Sequence, residues 1–199
     1  YAGDNCLRIV RNSSTGVALA ASFPRLTGGT VHVEAMILTT ANGDWQGGMY
    51  LTDNPADNQH NSGLASSSAT VFWTGAGGIN DGGRIRISEN QFANNYYLDS
   101  IPLPLNTWIK WEMDVDLDAQ TWILTVNGVS SQTLGFNTVG QNAASGLVLF
   151  AAGSLTHFFV DNIQITAPCP YALTGDLNSD CKVDFYDFAQ MAVNWLVDC

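Results

Sequence analysis

Basic residues are scarce in this chain: 7 Lys and Arg stand against 18 Asp and Glu, for a formal net charge of −11. So acidic a surface repels nucleic acid and anionic lipid, and no basic cluster offsets it, which excludes nucleic acid as a partner. No apolar run approaches the roughly 18 residues of a membrane-spanning helix, so no membrane insertion is expected. Histidines number 3 and lie far apart, at His32, His60 and His157. A Gly-x-Ser-x-Gly nucleophile motif is absent, and the glycines at 75–78 and 81–83 lack the Lys and helix that a phosphate loop requires. Cysteines number 4, with no Cys-x-x-Cys pair and no His among them, which argues against zinc. An even count suits two disulfides, and four cysteines allow three connectivities. An oxidising, extracellular or cell-surface setting is therefore expected. The chain begins at Tyr1 rather than Met, which is expected either of a mature form after signal removal or of a sequence given without its signal.

What is present is β-pattern. Short runs rich in Val, Ile, Thr and aromatics alternate with Gly/Asn/Ser clusters, the pattern of a sandwich or barrel. Expected strands are Cys6–Arg11, Val17–Ser22, Thr30–Thr40, Gly47–Thr52, Ala69–Thr74, Arg84–Ser88, Tyr96–Ile101, Thr107–Leu117, Thr121–Val126, Gly146–Ala151 and His157–Thr166. In the clearest, Ile109, Trp111, Met113, Val115 and Leu117 alternate with Trp108, Lys110, Glu112, Asp114 and Asp116, one face apolar and one polar. Asn127-Gly128 is a tight-turn signal. Pro168 and Pro170 forbid helix and mark a boundary, so the chain divides into an all-β body at 1–167 and a small appendage at 168–199.

The appendage carries the strongest motif. From Asp176 to Asp187, oxygen side chains fall at loop positions 1, 3, 5, 9 and 12, the ligand spacing of a calcium loop, because a hard cation of that size takes six to eight oxygens. The ligands would be Asp176, Asn178, Asp180, Asp184 and Asp187, with Lys182 offering its backbone carbonyl, and Ca2+ is the expected cofactor. Cys181 stands where Gly is usual and Asp187 where Glu is usual. Downstream, Phe185, Phe188, Ala189, Ala192, Trp195 and Leu196 recur at helical spacing and predict an amphipathic helix.

Gly175-Asp176-Leu177-Asn178-Ser179-Asp180 followed by Val183-Asp184-Phe185-Tyr186-Asp187-Phe188-Ala189 resembles one repeat of a dockerin, as on secreted proteins of planctomycete-type bacteria. A dockerin has two such repeats and this chain has one. Trp108-Ile109-Lys110-Trp111, the run Val115 to Asp118, Trp122, and Val126-Asn127-Gly128-Val129, with Phe159-Val160-Asp161-Asn162-Ile163, resemble strands of laminin-G-like, concanavalin-A-like jelly rolls. That resemblance implies a jelly-roll β-sandwich with its first and last strands side by side. Antiparallel pairing of those strands would favour Cys6–Cys169, leaving Cys181–Cys199.

Three functional classes follow. Glu112, Asp114 and Asp116 resemble the acid/nucleophile strand of laminarinase-type glycosidases, with Glu112 and Asp116 as the pair. Aromatics suit stacking on sugar rings, and Trp108 and Trp122 are the candidates for it. Asp44, Asp53, Asp57 and Asn58 are loop residues suited to a ligand or second calcium. Arg84 and Arg86, on one strand, read as ion-paired surface residues. The expected function is non-catalytic: glycan binding, adhesion or cell-surface attachment by a calcium-binding protein. The alternative is a structural subunit that contacts another extracellular protein or itself.

Overall fold

A computed structural model describes residues 6–10, 17–40, 47–54, 67–74, 83–89, 94–138, 140–151 and 157–167. Among these there is no helix, and thirteen strands form two antiparallel sheets packed face to face, a jelly-roll β-sandwich. The strands are β1 (Leu7–Val10), β2 (Val17–Leu26), β3 (Thr30–Thr39), β4 (Gly47–Thr52), β5 (Ser67–Thr74), β6 (Arg84–Glu89), β7 (Asn94–Tyr97), β8 (Trp108–Asp116), β9 (Thr121–Val126), β10 (Val129–Ser130), β11 (Leu134–Gly135), β12 (Ala144–Ala151) and β13 (His157–Thr166). One sheet runs β1-β13-β3-β8-β9-β10, with β11 also paired to β9; the other runs β2-β12-β4-β5-β6-β7.

Alternation sets which side chains meet between the sheets. Val31, Val33, Ala35 and Ile37 of β3 and Ile109, Trp111, Met113 and Val115 of β8 are buried, while their neighbours face outward. They meet Met49, Leu51, Val71, Trp73, Ile85 and Ile87 of the other sheet. Trp73 packs on Trp111 at 5.3 Å between ring centroids and edge-on against Phe158 at 4.9 Å, so three aromatics join the two layers.

The connections follow local chemistry. Asn127 and Gly128, at φ 50° and 82°, turn β9 into β10; this is the left-handed pair that matches strand twist in a two-residue hairpin. β2 runs further than expected, to Leu26, with Pro24 inside it. Proline is tolerated because β2 is an edge strand and its register against β12 shifts there, from Ser22↔Gly146 to Leu26↔Ala144. β7 starts earlier and stops sooner than expected, at Tyr97, and Pro102 and Pro104 belong to the crossover to β8.

β1 and β13 lie side by side and antiparallel, with Leu7 opposite Val160 and Val10 opposite His157. The same register sets the exposed Cys6 level with Asp161, some way back along β13 from Thr166. A Cys6–Cys169 bridge thus requires the chain after Ala167 to turn back along β1. Cys169, Cys181, Cys199, the appendage 168–199 with its calcium loop and expected helix, and the loop residues Asp44, Asp57 and Asn58 lie outside the described residues. Among the described residues no helix is long and apolar enough to cross a membrane.

Candidate functional site

The outer face of the seven-stranded sheet holds the sequence's charged strip. Register places His32 opposite Asp114, Glu34 opposite Glu112 and Leu38 opposite Trp108. Lys110 Nζ lies 2.8 Å from Glu34 Oε2 and 2.9 Å from Glu112 Oε1. Hydrogen bonds to Glu34 and then Glu112 raise its pKa above the ordinary lysine value. His32 Nδ1 donates to Asp114 Oδ1 at 2.7 Å, and Nε2 lies 4.0 Å from Glu34 Oε2. One ligand atom each from His32, Glu34 and Glu112 falls within 4.8 Å of the others. The Lys110 ammonium already sits between the two carboxylates where a cation would go. Asp116, the expected partner of Glu112 in a glycosidase pair, accepts from the Asp118 and Ala119 backbone N–H groups at 3.0 and 2.8 Å and so caps the β8–β9 turn.

The two tryptophans separate. Trp108 is half-buried on this outer face, where alternation placed it. Trp122 is a correction: it is 1% exposed, points between the sheets, and its Nε1 donates to the Gly135 carbonyl at 3.0 Å. A ring so enclosed has no face to offer a sugar. Strand parity carried the signal, since Trp122, Leu124 and Val126 share one face; apolar Ile123 on the other face, 37% exposed, blurred it.

A groove of about 620 Å³ opens at the rim where β6, the crossover to β8 and the β9–β10 hairpin converge. Leu98, Ile101, Leu103, Val126 and Val129 give it an apolar wall, and Arg84, Asp99 and Asn127 supply polar groups. Arg84 forks onto Asp99, with Nε and Nη2 at 3.0 and 2.8 Å from Oδ1 and Nη2 at 2.9 Å from Oδ2. Its guanidinium also stacks 3.8 Å from the centroid of Tyr97, which is 40% exposed. Sequence alone gave Arg84 its ion-paired reading but missed the groove, because Arg84, Asp99 and Asn127 come from segments that only the tertiary fold joins.

At the other end of β6, Glu89 Oε1 accepts from the Gly135 backbone N–H and, at 3.1 Å, from the Tyr96 hydroxyl, tying β6 and β7 to β11 of the facing sheet. Burial first, then the Glu89 charge, push the Tyr96 pKa up to about 12.

No protein-family model matches the chain, and no curated protein matches it. Solved structures do match in fold. A sialidase aligns over 96% of this chain at TM-score 0.58 and 10% identity, the chain spanning 17% of that protein's length. An alginate lyase aligns over 81% of this chain and 75% of its own, at TM-score 0.51 and 12% identity. An ancestral congerin aligns over 74% and 99%, at TM-score 0.50 and 10% identity. At such identity the likeness is one of fold alone.

Proposed function

We propose that the chain is a secreted, non-catalytic glycan-binding module whose site is the groove lined by Arg84, Asp99 and Asn127, with Tyr97 stacked on Arg84 beside it. One observation carries the reading: Arg84 is clamped at once by the Asp99 carboxylate and the Tyr97 ring, so donors, acceptors and an aromatic surface are fixed beside an apolar wall. A sugar ring needs that combination, with apolar C–H faces to cover and hydroxyls to pair at set positions. The Asp99 side chain is 69% exposed and retains room to accept from hydroxyls. A net charge of −11 favours neutral over anionic glycans. The calcium loop would hold Ca2+ through Asp176, Asn178, Asp180, the Lys182 carbonyl, Asp184 and Asp187, ordering the appendage as an attachment device.

A glycan array with the full oxidised chain, followed by calorimetry on the strongest binder, tests this. Tyr97→Ala and Asp99→Ala are each expected to weaken binding about tenfold, or ~1.4 kcal/mol, with the fold intact by circular dichroism. Affinity that survives both changes but is lost on Trp108→Ala would move the site to the seven-stranded sheet. No binding to any glycan would overturn the reading.

A further inference from the structure

The outer face of the six-stranded sheet carries a buried apolar cluster. Along β4, Met49 and Leu51 point into the core, so Tyr50 points away; Phe72 of β5 and Val148 and Phe150 of β12 do likewise. Register makes these four neighbours, with Tyr50 opposite Val148 and Gly48 opposite both Phe72 and Phe150. Gly48 is required there, since a Cβ would lie 2.5 Å from Phe150 Cζ and from the Val71 carbonyl oxygen. The Phe150 ring stands 5.7 Å from Tyr50 and 5.6 Å, edge-on, from Phe72. None of the four is more than 4% exposed, and the other described residue packed on them is Ala20. The outer face of a two-layer antiparallel sandwich is ordinarily solvated. An apolar, closed cluster there calls for a third layer.

We infer that the third layer is the C-terminal segment, its Phe185–Leu196 stripe seated over Tyr50, Phe72, Val148 and Phe150. Three features fit this occupant. The stripe of Phe185, Phe188, Ala189, Ala192, Trp195 and Leu196 has no second calcium repeat to pack against, and an exposed patch of that kind is uncommon on a soluble protein. A helix over Phe185–Leu196 is about 18 Å long, and crossing β2, β12, β4 and β5 takes about 15 Å. The connection is long enough: residues 168–184 can span more than about 40 Å, against a sandwich with sheets about 10 Å apart.

Tyrosine nitration read by mass spectrometry tests the docking in the full oxidised chain. Tyr97, 40% exposed, is the internal control, and Tyr50, fully buried, is the reporter. Tyr50 is expected to be protected in the wild type and modified at least about tenfold faster in Phe188→Asp, the factor that ~1.4 kcal/mol of lost docking energy produces. Amide exchange in β3 and β8 should stay unchanged. Should Phe188→Asp unfold the body, Phe188→Ala decides by the same readout. Protection of Tyr50 that persists in these variants would overturn the inference and give the cover to another part of the chain. Protection lost from the wild type on dilution alone would assign the face to a second copy, and would equally overturn it.

Discussion

Trp122 divides two readings that the sequence allows, sugar platform and core residue, and the substitution Trp122→Phe separates them. The side chain is 1% exposed, opposes Val115 of β8 and Leu134 of β11, and spends its one polar group on the Gly135 carbonyl. Phenylalanine keeps an aromatic face, so a stacking role would survive in large part. What it loses is the indole donor and part of the ring volume. Leaving a largely enclosed carbonyl without its partner costs about 1–3 kcal/mol, and the void adds about 1 kcal/mol. A net loss of about 2–4 kcal/mol lowers Tm by about 4–16 °C in a body of this size. Thermal unfolding followed by circular dichroism measures that directly, with glycan affinity measured below the transition. Affinity should be unchanged. An unchanged Tm accompanied by weakened sugar binding would refute the core assignment, and with it the parity argument for β9.

Two further outcomes are expected. The Tyr96 pKa, raised to about 12 in the fold from an unfolded value near 10, contributes stability that is complete below pH 10 and lost as pH rises towards 12, because the native state holds the proton more tightly. Difference titration at the phenolate absorbance, wild type minus Tyr96→Phe, should therefore show a transition near 12 that moves to about 10 in urea; a native transition near 10 would contradict the Glu89–Tyr96 contact. Calorimetric titration of the oxidised full chain should find one Ca2+ bound and none after Asp184→Ala. No heat from the wild type would discard the calcium loop.

Most of the fold was readable from alternation and turn chemistry, because both are local. The β8 pattern from Trp108 to Asp116 appears in the structure with the expected residues inside and outside. The β9–β10 turn falls on Asn127-Gly128, and β1 pairs with β13 as the jelly-roll resemblance implies. β10 and β11 were not readable, since Val129–Ser130 and Leu134–Gly135 are too short for a period to show. The site divides the same way. Lys110 between Glu34 and Glu112 joins strands already expected, though their pairing is a tertiary fact. The groove joins β6, the 98–104 crossover and the β9–β10 hairpin, with Arg84 and Asn127 well separated in sequence. Tyr50, Phe72, Val148 and Phe150 were not readable as an outer-face cluster, because strands apolar on both faces give no parity signal and periodicity cannot say which sheet face a third layer covers.

The two outer faces solve the same electrostatic problem differently, and the difference favours the six-stranded side for recognition. On the seven-stranded sheet the charges close on one another: Lys110 joins Glu34 and Glu112, and His32 is held by Asp114. A ligand there would have to break pairs that already satisfy each group, and such pairs at a surface return little energy when re-formed with something else. On β6 each cation also stacks on an aromatic ring, Arg84 over Tyr97 and Arg86 over Phe72, and Arg84 is paired with Asp99 as well. Arg84 and Arg86 are separated by about 7 Å along the strand, one at the groove and the other at the apolar face. The Asp99 side chain is 69% exposed, so hydroxyl groups can add to the Arg84–Asp99 pair without breaking it. A C-terminal segment seated at Arg86 would therefore border the groove at Arg84, and its docking and glycan binding would be neighbours on a single strand.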